Sequence, residues 1–81
     1  MASIIEEGFV VRDKDGEYLS YHLTDVLEEE EIDFGPAPCA YLFKNKATAL
    51  AMLKRDIYTD FYPDNEVDVL KMRITYDIAS P

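Results

Sequence analysis

The sequence predicts a small α+β domain in which one helix packs on one face of a mainly antiparallel sheet, with the elements in the order β-β-β-α-β. Three observations lead to this prediction. The chain has 81 residues, which is enough for one domain and no more. A strong turn signal separates two β-prone runs near the start. A helical period gives way to a two-residue alternation near the end. We therefore treat residues 1–81 as one domain with a thin core.

The first two strands are predicted to form a hairpin, Phe9–Arg12 and Glu17–Leu23, around the turn Asp13–Gly16. An Asp-Gly pair between two β-prone runs is a strong short-range hairpin signal, and Gly16 can take a positive φ without steric cost. Alternate residues of a strand face opposite sides of a sheet. The side of the second strand that we expect to face the core carries Leu19, Tyr21 and Leu23.

The segment after the hairpin is predicted to be a long, mostly solvated connection. Asp25–Asp33 contains six acidic residues and no basic one, and such like charges repel one another in a tight regular element. Gly35–Pro38 then interrupts regular structure. The short and mainly apolar run that follows, Cys39–Phe43, is predicted to be the third strand.

One helix is predicted from Lys46 to about Phe61. Asn45 is a favourable N-cap residue, and Pro63 disfavours the α conformation at the residue before it. Apolar residues recur at helical spacing between these limits, namely Leu50, Leu53, Ile57 and Phe61. We expect Leu53 and Ile57 to be nearly fully buried against the last strand.

The last strand is predicted at Val67–Tyr76, where polar and apolar residues alternate. Its core side should carry Leu70, Met72, Ile74 and Tyr76. A helix between the third and fourth strands makes those two strands parallel if they share the sheet, with a right-handed crossover. The opposite face of the sheet is then expected to be open to solvent and to display Tyr18, Ser20, His22, Lys71 and Arg73.

The composition is strongly acidic. Seventeen Asp and Glu residues against eight Lys and Arg residues give a formal net charge of −9. A charge of this sign repels nucleic acid and anionic membranes, so direct binding to either is not expected. The single cysteine, Cys39, excludes a disulfide within the chain and suits a reducing compartment. Without a secretory leader pattern or an apolar run long enough to span a bilayer, a cytoplasmic location is expected.

No catalytic, metal or cofactor site is expected from the sequence. Asp13–Gly16 does not fit a calcium loop, because Val11 and His22 would occupy two ligand positions that require acids. His22 is the only histidine, and the sequence offers no identifiable catalytic partner for it. The alternating acids Asp64, Glu66 and Asp68 are interpreted as solvated rather than metal-binding. The sequence therefore does not favour an enzyme.

The acidic residues cluster in two segments that lack Lys and Arg, Asp25–Asp33 and Asp56–Asp68. Spaced carboxylates on a rigid scaffold can compete with a phosphate backbone for a basic cleft, and nearby aromatic residues can anchor the contact. The predicted partner is a basic protein surface, with a nucleic-acid-binding site as one form of it. The predicted partner-binding residues are Asp25, Glu28, Glu29, Glu30, Glu31, Asp33, Phe34, Asp60, Tyr62, Asp64 and Glu66.

The chain resembles the small acidic accessory proteins that phages and mobile elements encode. The resemblance rests on the hairpin Phe9–Leu23, the run Ala40–Asn45 leading into a helix, the strand Val67–Tyr76 and the acidic composition. Some members of that group are anti-restriction or anti-CRISPR inhibitors, and several are nucleic-acid mimics. The resemblance implies an inhibitor or adaptor that binds protein, and it transfers no functional residue.

Two other functions remain open on the sequence. The chain could be a structural or homo-oligomerising protein whose open sheet face or edge strand forms a homodimer. A hydrolase or metal-dependent enzyme would require the carboxylates and His22 to converge in a pocket. A binder of a basic surface should lose its partner as salt rises, whereas a homo-oligomer should run large on a sizing column without any partner.

Overall fold

The computed structural model describes residues 2–24 and 29–78. Within them, four antiparallel strands form one sheet in the spatial order β3-β2-β1-β4. The strands are β1 (Ala2–Asp13), β2 (Tyr18–Leu23), β3 (Glu30–Gly35) and β4 (Val67–Ile78). One turn of 3-10 helix (Ala37–Cys39) and the short helices α1 (Lys46–Met52) and α2 (Asp56–Thr59) separate β3 from β4. The α+β class and the order β-β-β-α-β are therefore confirmed.

The hairpin turn forms where the Asp-Gly signal predicted it. The backbone N–H of Asp13 donates to the carbonyl of Glu17 at 2.8 Å, which closes the turn. The Asp13 carboxylate accepts from the backbone N–H groups of Asp15 (2.9 Å) and Glu17 (2.8 Å), while Gly16 has a φ of 84°. An Asp side chain that bonds its own turn fixes the loop as firmly as a backbone bond would.

The predicted connection after the hairpin is wrong in part, because Glu30–Gly35 is a strand that pairs along its length with β2. Its residues alternate: Ile32 and Phe34 are partly buried, while Glu31 and Asp33 are exposed. The pleat thus places Glu31 and Asp33 in solvent, where their repulsion is weak, whereas Glu30 lies on the partly buried face and pairs with Arg55. The remainder of the acidic run, residues 25–28, lies outside the described residues.

The third strand was predicted at Cys39–Phe43, and this placement is wrong. The segment begins in the 3-10 turn and contributes a single bridge, in which Phe43 and Phe9 exchange two backbone hydrogen bonds of 2.8 Å. Tyr41 donates its N–H to the carbonyl of Leu19 in β2 at 2.9 Å. Strands β1 and β2 pair directly only next to their turn, so this segment fills the gap where they separate.

The predicted helix begins correctly but is not continuous. The Asn45 side chain accepts from the backbone N–H of Thr48 at 2.8 Å, as expected of an N-cap. α1 ends at Met52, and a turn over residues 53–55 precedes α2. Because the turn breaks the helical period, the predicted apolar stripe does not form. Leu53 and Ile57 are only partly buried, and the buried helical residues are instead Ala49, Met52 and Tyr58.

The core lies between these helices and one face of the sheet, called here the helix face. Its buried members are Val11, Leu19, Phe43, Ala49, Met52 and Tyr58. Val67 and Val69 of β4 pack against it, and Val69 is paired with Val11 of β1. Since side chains alternate along a strand, Leu70, Met72 and Ile74 lie on the opposite face, called here the far face. The predicted core side of β4 is therefore wrong.

The open sheet face predicted from the sequence does not exist as one surface. Lys71 and Arg73 share the helix face with Val69, whereas Tyr18 and His22 share the far face with Arg12, the partner of Tyr18. The predicted crossover does not join two strands of the sheet, because Phe43 forms only a bridge; that bridge and β4 are both antiparallel to β1 and so run in the same direction. β3 and β4 form opposite edges of the sheet and run antiparallel to each other. Across the part of the chain that the structure describes, no helix is long and apolar enough to cross a membrane.

Candidate functional site: an acidic cleft at one end of the sheet

A concave site of about 470 Å³, called here the acidic cleft, opens at the end of the sheet that carries the hairpin turn. The residues that line it are Asp13, Glu17, Asp33, Phe34, Tyr62, Pro63, Asp64 and Asn65. Four of these are carboxylates and none is a Lys or Arg. The cleft therefore concentrates negative charge around two aromatic rings.

Three separate parts of the chain supply the carboxylates. Asp13 and Glu17 flank the hairpin turn, and the turn hydrogen bonds hold the Asp13 side chain in place. Asp33 comes from the edge strand β3, where its carboxylate accepts from the backbone N–H of Phe34 at 2.8 Å. Asp64 follows α2 in the turn that leads to β4. Residues that are distant in sequence thus meet because the hairpin turn, β3 and the turn after α2 lie side by side.

The aromatic wall of the cleft continues into the core. The Phe34 and Tyr62 rings meet edge to face, with centroids 5.0 Å apart and an interplanar angle of 77°. Buried Tyr58 lies behind them, 6.5 Å from Phe34 and 5.6 Å from Tyr62 between ring centroids. Edge-to-face pairs at such distances are favourable beyond the area they bury. The rings of Phe34 and Tyr62 are therefore held in place by packing against the core.

Tyr62 in the cleft and Tyr58 behind it both have a raised pKa, with burial as the largest cause. Burial raises the pKa of Tyr62 above the ordinary value, and the nearby negative charges of Asp33 and Glu17 raise this pKa further. Burial is also the largest cause of the raised pKa of Tyr58, to which the charges of Tyr62 and Asp13 add. A negative potential disfavours ionisation of a phenol and equally favours a bound cation.

Only part of the predicted partner-binding set lines the acidic cleft, although Glu30 and Glu31 line a neighbouring concavity together with Asp33 and Tyr62. Asp33, Phe34, Tyr62 and Asp64 line the acidic cleft. Glu30 instead binds Arg55 of the turn before α2, with an Oε2–Nη2 distance of 2.7 Å, and Glu31 lies 2.9 Å from Nε2 of His22. The other described acids of the predicted partner-binding set, Glu29, Asp60 and Glu66, are exposed and do not line the cleft. Asp25 and Glu28 lie outside the described residues.

Sequence reasoning missed two of the carboxylates in the cleft. Asp13 and Glu17 were assigned only to the hairpin turn, because nothing local links that turn with residues 33 and 64. The available signal was the density of acids on both sides of the Asp-Gly pair. Only the packing of β3 and of the turn after α2 beside the hairpin gives these acids a common site.

The described carboxylates and His22 are the groups that could hold a metal ion or act as acid or base. Within residues 2–24 and 29–78, no group of three or more His, Cys, Asp or Glu side chains is close enough to hold a metal ion. The carboxylates of the acidic cleft are thus spread around an opening rather than gathered on one point. His22 and Glu31 form a contact whose side chains are 61% and 56% exposed, so water reaches both partners.

Comparison of this chain with models of protein families, with curated proteins and with solved structures finds no match.

Proposed function

We propose that this protein is a non-enzymatic binding module whose acidic cleft receives a basic side chain of a partner protein. The observation that carries the proposal is that Asp13, Glu17, Asp33 and Asp64 surround one opening beside the rings of Phe34 and Tyr62. Arginine and lysine side chains match such a site at both their charged end and their apolar stem. The carboxylates bind the charged end, and the aromatic rings contact the stem. An arginine also stacks on a tyrosine or phenylalanine face.

The rest of the acidic surface supports a partner that is broadly basic. Glu29, Glu31 and Asp33 are exposed in or next to the edge strand β3, and the net charge of the chain is −9. Such charges speed encounter with a positive surface more than they hold the complex together. The contact itself then depends on the cleft, where the aromatic rings contact the apolar stem of the bound side chain next to the exposed charged pair.

The finer form of this proposal is an inhibitor or adaptor that covers the nucleic-acid-binding surface of its partner. Its support is the spacing of carboxylates over a rigid sheet edge and the resemblance to acidic anti-defence proteins of phages. A protein of this kind competes with nucleic acid for one basic surface. Addition of DNA or RNA should then displace it from the partner, and a partner that binds both at once would exclude this finer form.

The central test uses a short arginine-containing peptide and the same peptide with citrulline in place of arginine, which preserves shape and removes charge. Calorimetric titration should show that the arginine peptide binds and that the citrulline peptide does not. The double variant Asp33→Asn/Asp64→Asn should weaken that binding about fivefold, since each exposed ion pair contributes at most about 1 kcal/mol. Raising the salt concentration should weaken it as well.

The matched control for this test is Asp60→Asn/Glu66→Gln. It removes the same number of charges from exposed residues that do not line the cleft. The control variant should bind the arginine peptide nearly as well as the unmodified protein does. Equal weakening by both double variants would mean that net charge alone attracts the peptide, and the acidic cleft would then not be the binding site.

A further inference from the structure

The outer edge of β4 is the longest open edge of the sheet. Among residues 2–24 and 29–78, no strand lies beyond β4, so its twelve residues pair with β1 on one side only. An open strand edge carries a row of unpaired backbone N–H and carbonyl groups that can pair with another strand. An extended strand brought to this edge would therefore find backbone partners along the whole of β4.

Apolar side chains accompany this edge on the far face. Met72, Ile74 and Tyr76 line one side of a groove of about 550 Å³, called here the far-face groove, and Leu42 and Pro38 line the other. Tyr76 is 47% exposed, and Ile4, the residue of β1 with which it pairs, is 50% exposed. Met72 and Ile74 are partly buried, so the exposed apolar surface here is centred on Tyr76 and Ile4. Exposed apolar surface beside an open edge is typical of an interaction surface.

We propose that a second copy of this chain occupies the edge, with β4 of one copy antiparallel to β4 of the other around a twofold axis. In such a pair, residues that face each other must lie on the same face of the sheet. Each permitted alignment is therefore centred on one residue of β4, which faces its own counterpart in the second copy. The charges of β4 decide between these alignments.

Alignments centred on Met72 or Arg73 place positive charges against each other. The first sets Lys71 opposite Arg73 of the second copy, and the second sets Arg73 opposite its own counterpart. Like charges directly opposite one another destabilise a strand pair. An alignment centred on Ile74 instead sets Asp77 opposite Lys71 twice, once on each side of the axis.

The alignment centred on Ile74 also matches the apolar residues. On the far face, Ile74 meets its counterpart and Tyr76 meets Met72, a sulfur–aromatic pair. An alignment one residue further would bring Asp77 to Arg73, but Arg73 already binds Glu7 of β1 through two nitrogens, at 2.7 and 2.9 Å. Lys71 lies farther from Glu7, at 3.9 Å, so it remains open to a second carboxylate.

The resulting dimer has a continuous sheet in which residues 70–78 of the two copies pair. On the far face, Met72, Ile74 and Tyr76 of the two copies lie side by side across the axis and bury the flanks that face each other. The acidic cleft borders the hairpin turn and β3, away from this edge, and remains open in both copies. The inference is therefore independent of the proposed function, and the dimer would present two clefts to its partner.

The test exchanges the proposed charge pair and follows mass by sedimentation velocity. The unmodified chain should sediment as a dimer. Asp77→Lys and Lys71→Asp should each weaken dimerisation about tenfold or more, because each replaces two attractive contacts by two repulsive ones. An equimolar mixture of the two variants should restore the dimer. In the mixed pair, the two substituted side chains face each other with opposite charges, while the remaining charge pair stays native.

Asp68→Lys is the matched control, because it changes the charge of β4 by the same amount outside residues 70–78 and should leave the dimer intact. Melting followed by circular dichroism establishes that each variant is folded. A monomeric unmodified chain at about 1 mM, far above the dissociation constant of a specific dimer, would overturn the proposal. A dimer that neither charge variant weakens, or variants that do not recombine on mixing, would overturn it as well.

Discussion

The two halves of β1 contain similar residues in different surroundings. Val10 and Val11 are 1% and 0% exposed, whereas Ile4 and Ile5 of the same strand are 50% and 56% exposed. The inner half lies under the helices and beside the segment that ends at Phe43, while the outer half pairs with β4 alone. The sheet thus extends beyond its core as a two-stranded ribbon, consistent with the long axis of 47 Å.

This difference shows that residue type does not decide burial in so small a protein. A two-stranded ribbon is marginally stable in water by itself, so the outer halves of β1 and β4 depend on the inner halves for their conformation. The free energy of unfolding should therefore respond strongly to changes in the inner half and weakly to changes outside it.

The largest expected effect comes from a pair of leucines on one strand. Leu19 of β2 is 0% exposed and Leu23 of the same strand is 56% exposed. Leu19→Ala should lower the free energy of unfolding by about 2–5 kcal/mol, because it opens a cavity in the core. Leu23→Ala should cost less than about 1 kcal/mol, since its side chain already meets water. Denaturant unfolding measures both, and similar losses would contradict the division between the two surroundings.

An intermediate effect is expected at Gly8, where the inner half of β1 meets the segment that fills the gap. A Cβ at this position would come within 2.5 Å of the Phe43 carbonyl oxygen and 2.6 Å of Cγ of Leu42. Gly8→Ala should therefore cost about 1–3 kcal/mol, because the segment must shift. The two backbone hydrogen bonds between Phe43 and Phe9 would then weaken. Hydrogen exchange at the Phe43 N–H should become faster.

Gly35 is the matched control for Gly8. It lies in β3, and nothing stands within 4 Å of a Cβ built there. Gly35→Ala should be neutral or should stabilise the protein by up to about 1 kcal/mol, because alanine loses less conformational freedom on folding. Thermal melting of the two variants compares them directly. A Gly8→Ala variant as stable as Gly35→Ala would show that the gap between β1 and β2 can widen freely.

The smallest effect concerns Tyr62, which joins the core to the acidic cleft. Burial and the charges of Asp33 and Glu17 raise its pKa above the unfolded value of about 10. Folding therefore favours the neutral phenol, and the resulting stability is complete below about pH 10 and is lost as pH rises through the folded pKa. Tyr62→Phe should flatten this alkaline loss in unfolding experiments across that pH range.

Asp33→Asn refines the same prediction, because it removes one negative charge and leaves the burial of Tyr62 unchanged. The pKa of Tyr62, followed by the ultraviolet absorbance of tyrosinate, should fall toward the ordinary value. Asp60→Asn makes the same charge change outside the cleft and should move this pKa less. Equal shifts in the two variants would attribute the effect to net charge rather than to the cleft.

Several local features could be predicted because nearby residues decide them. The turn at Asp13–Gly16 depends on an aspartate that bonds its own loop and a glycine with a positive φ. The start of α1 depends on the Asn45 side chain three residues from its donor. The alternation of Val67–Tyr76 likewise fixed that segment as a strand, although β4 extends to Ile78.

The incorrect predictions share a physical cause, which is competition between nearly equal local choices. Both sides of β4 are apolar near its start, so alternation could not tell whether Val67 and Val69 or Leu70 and Met72 would meet the helices. The acid run also alternates with Ile32 and Phe34, yet local repulsion suggested a loop. Pairing with β2 supplied hydrogen bonds that outweighed this repulsion, and nothing local contains that information.

The sequence by itself determined the α+β class, the hairpin turn, the helix start, the last strand and the strongly negative charge. Each of these follows from residues within a few positions of one another or from composition. Only the tertiary structure decided which face of the sheet is covered, where β1 and β2 separate, and that Asp13, Glu17, Asp33 and Asp64 surround one cleft. These features depend on contacts between distant segments, whose free energies are set by packing and register rather than by local propensity.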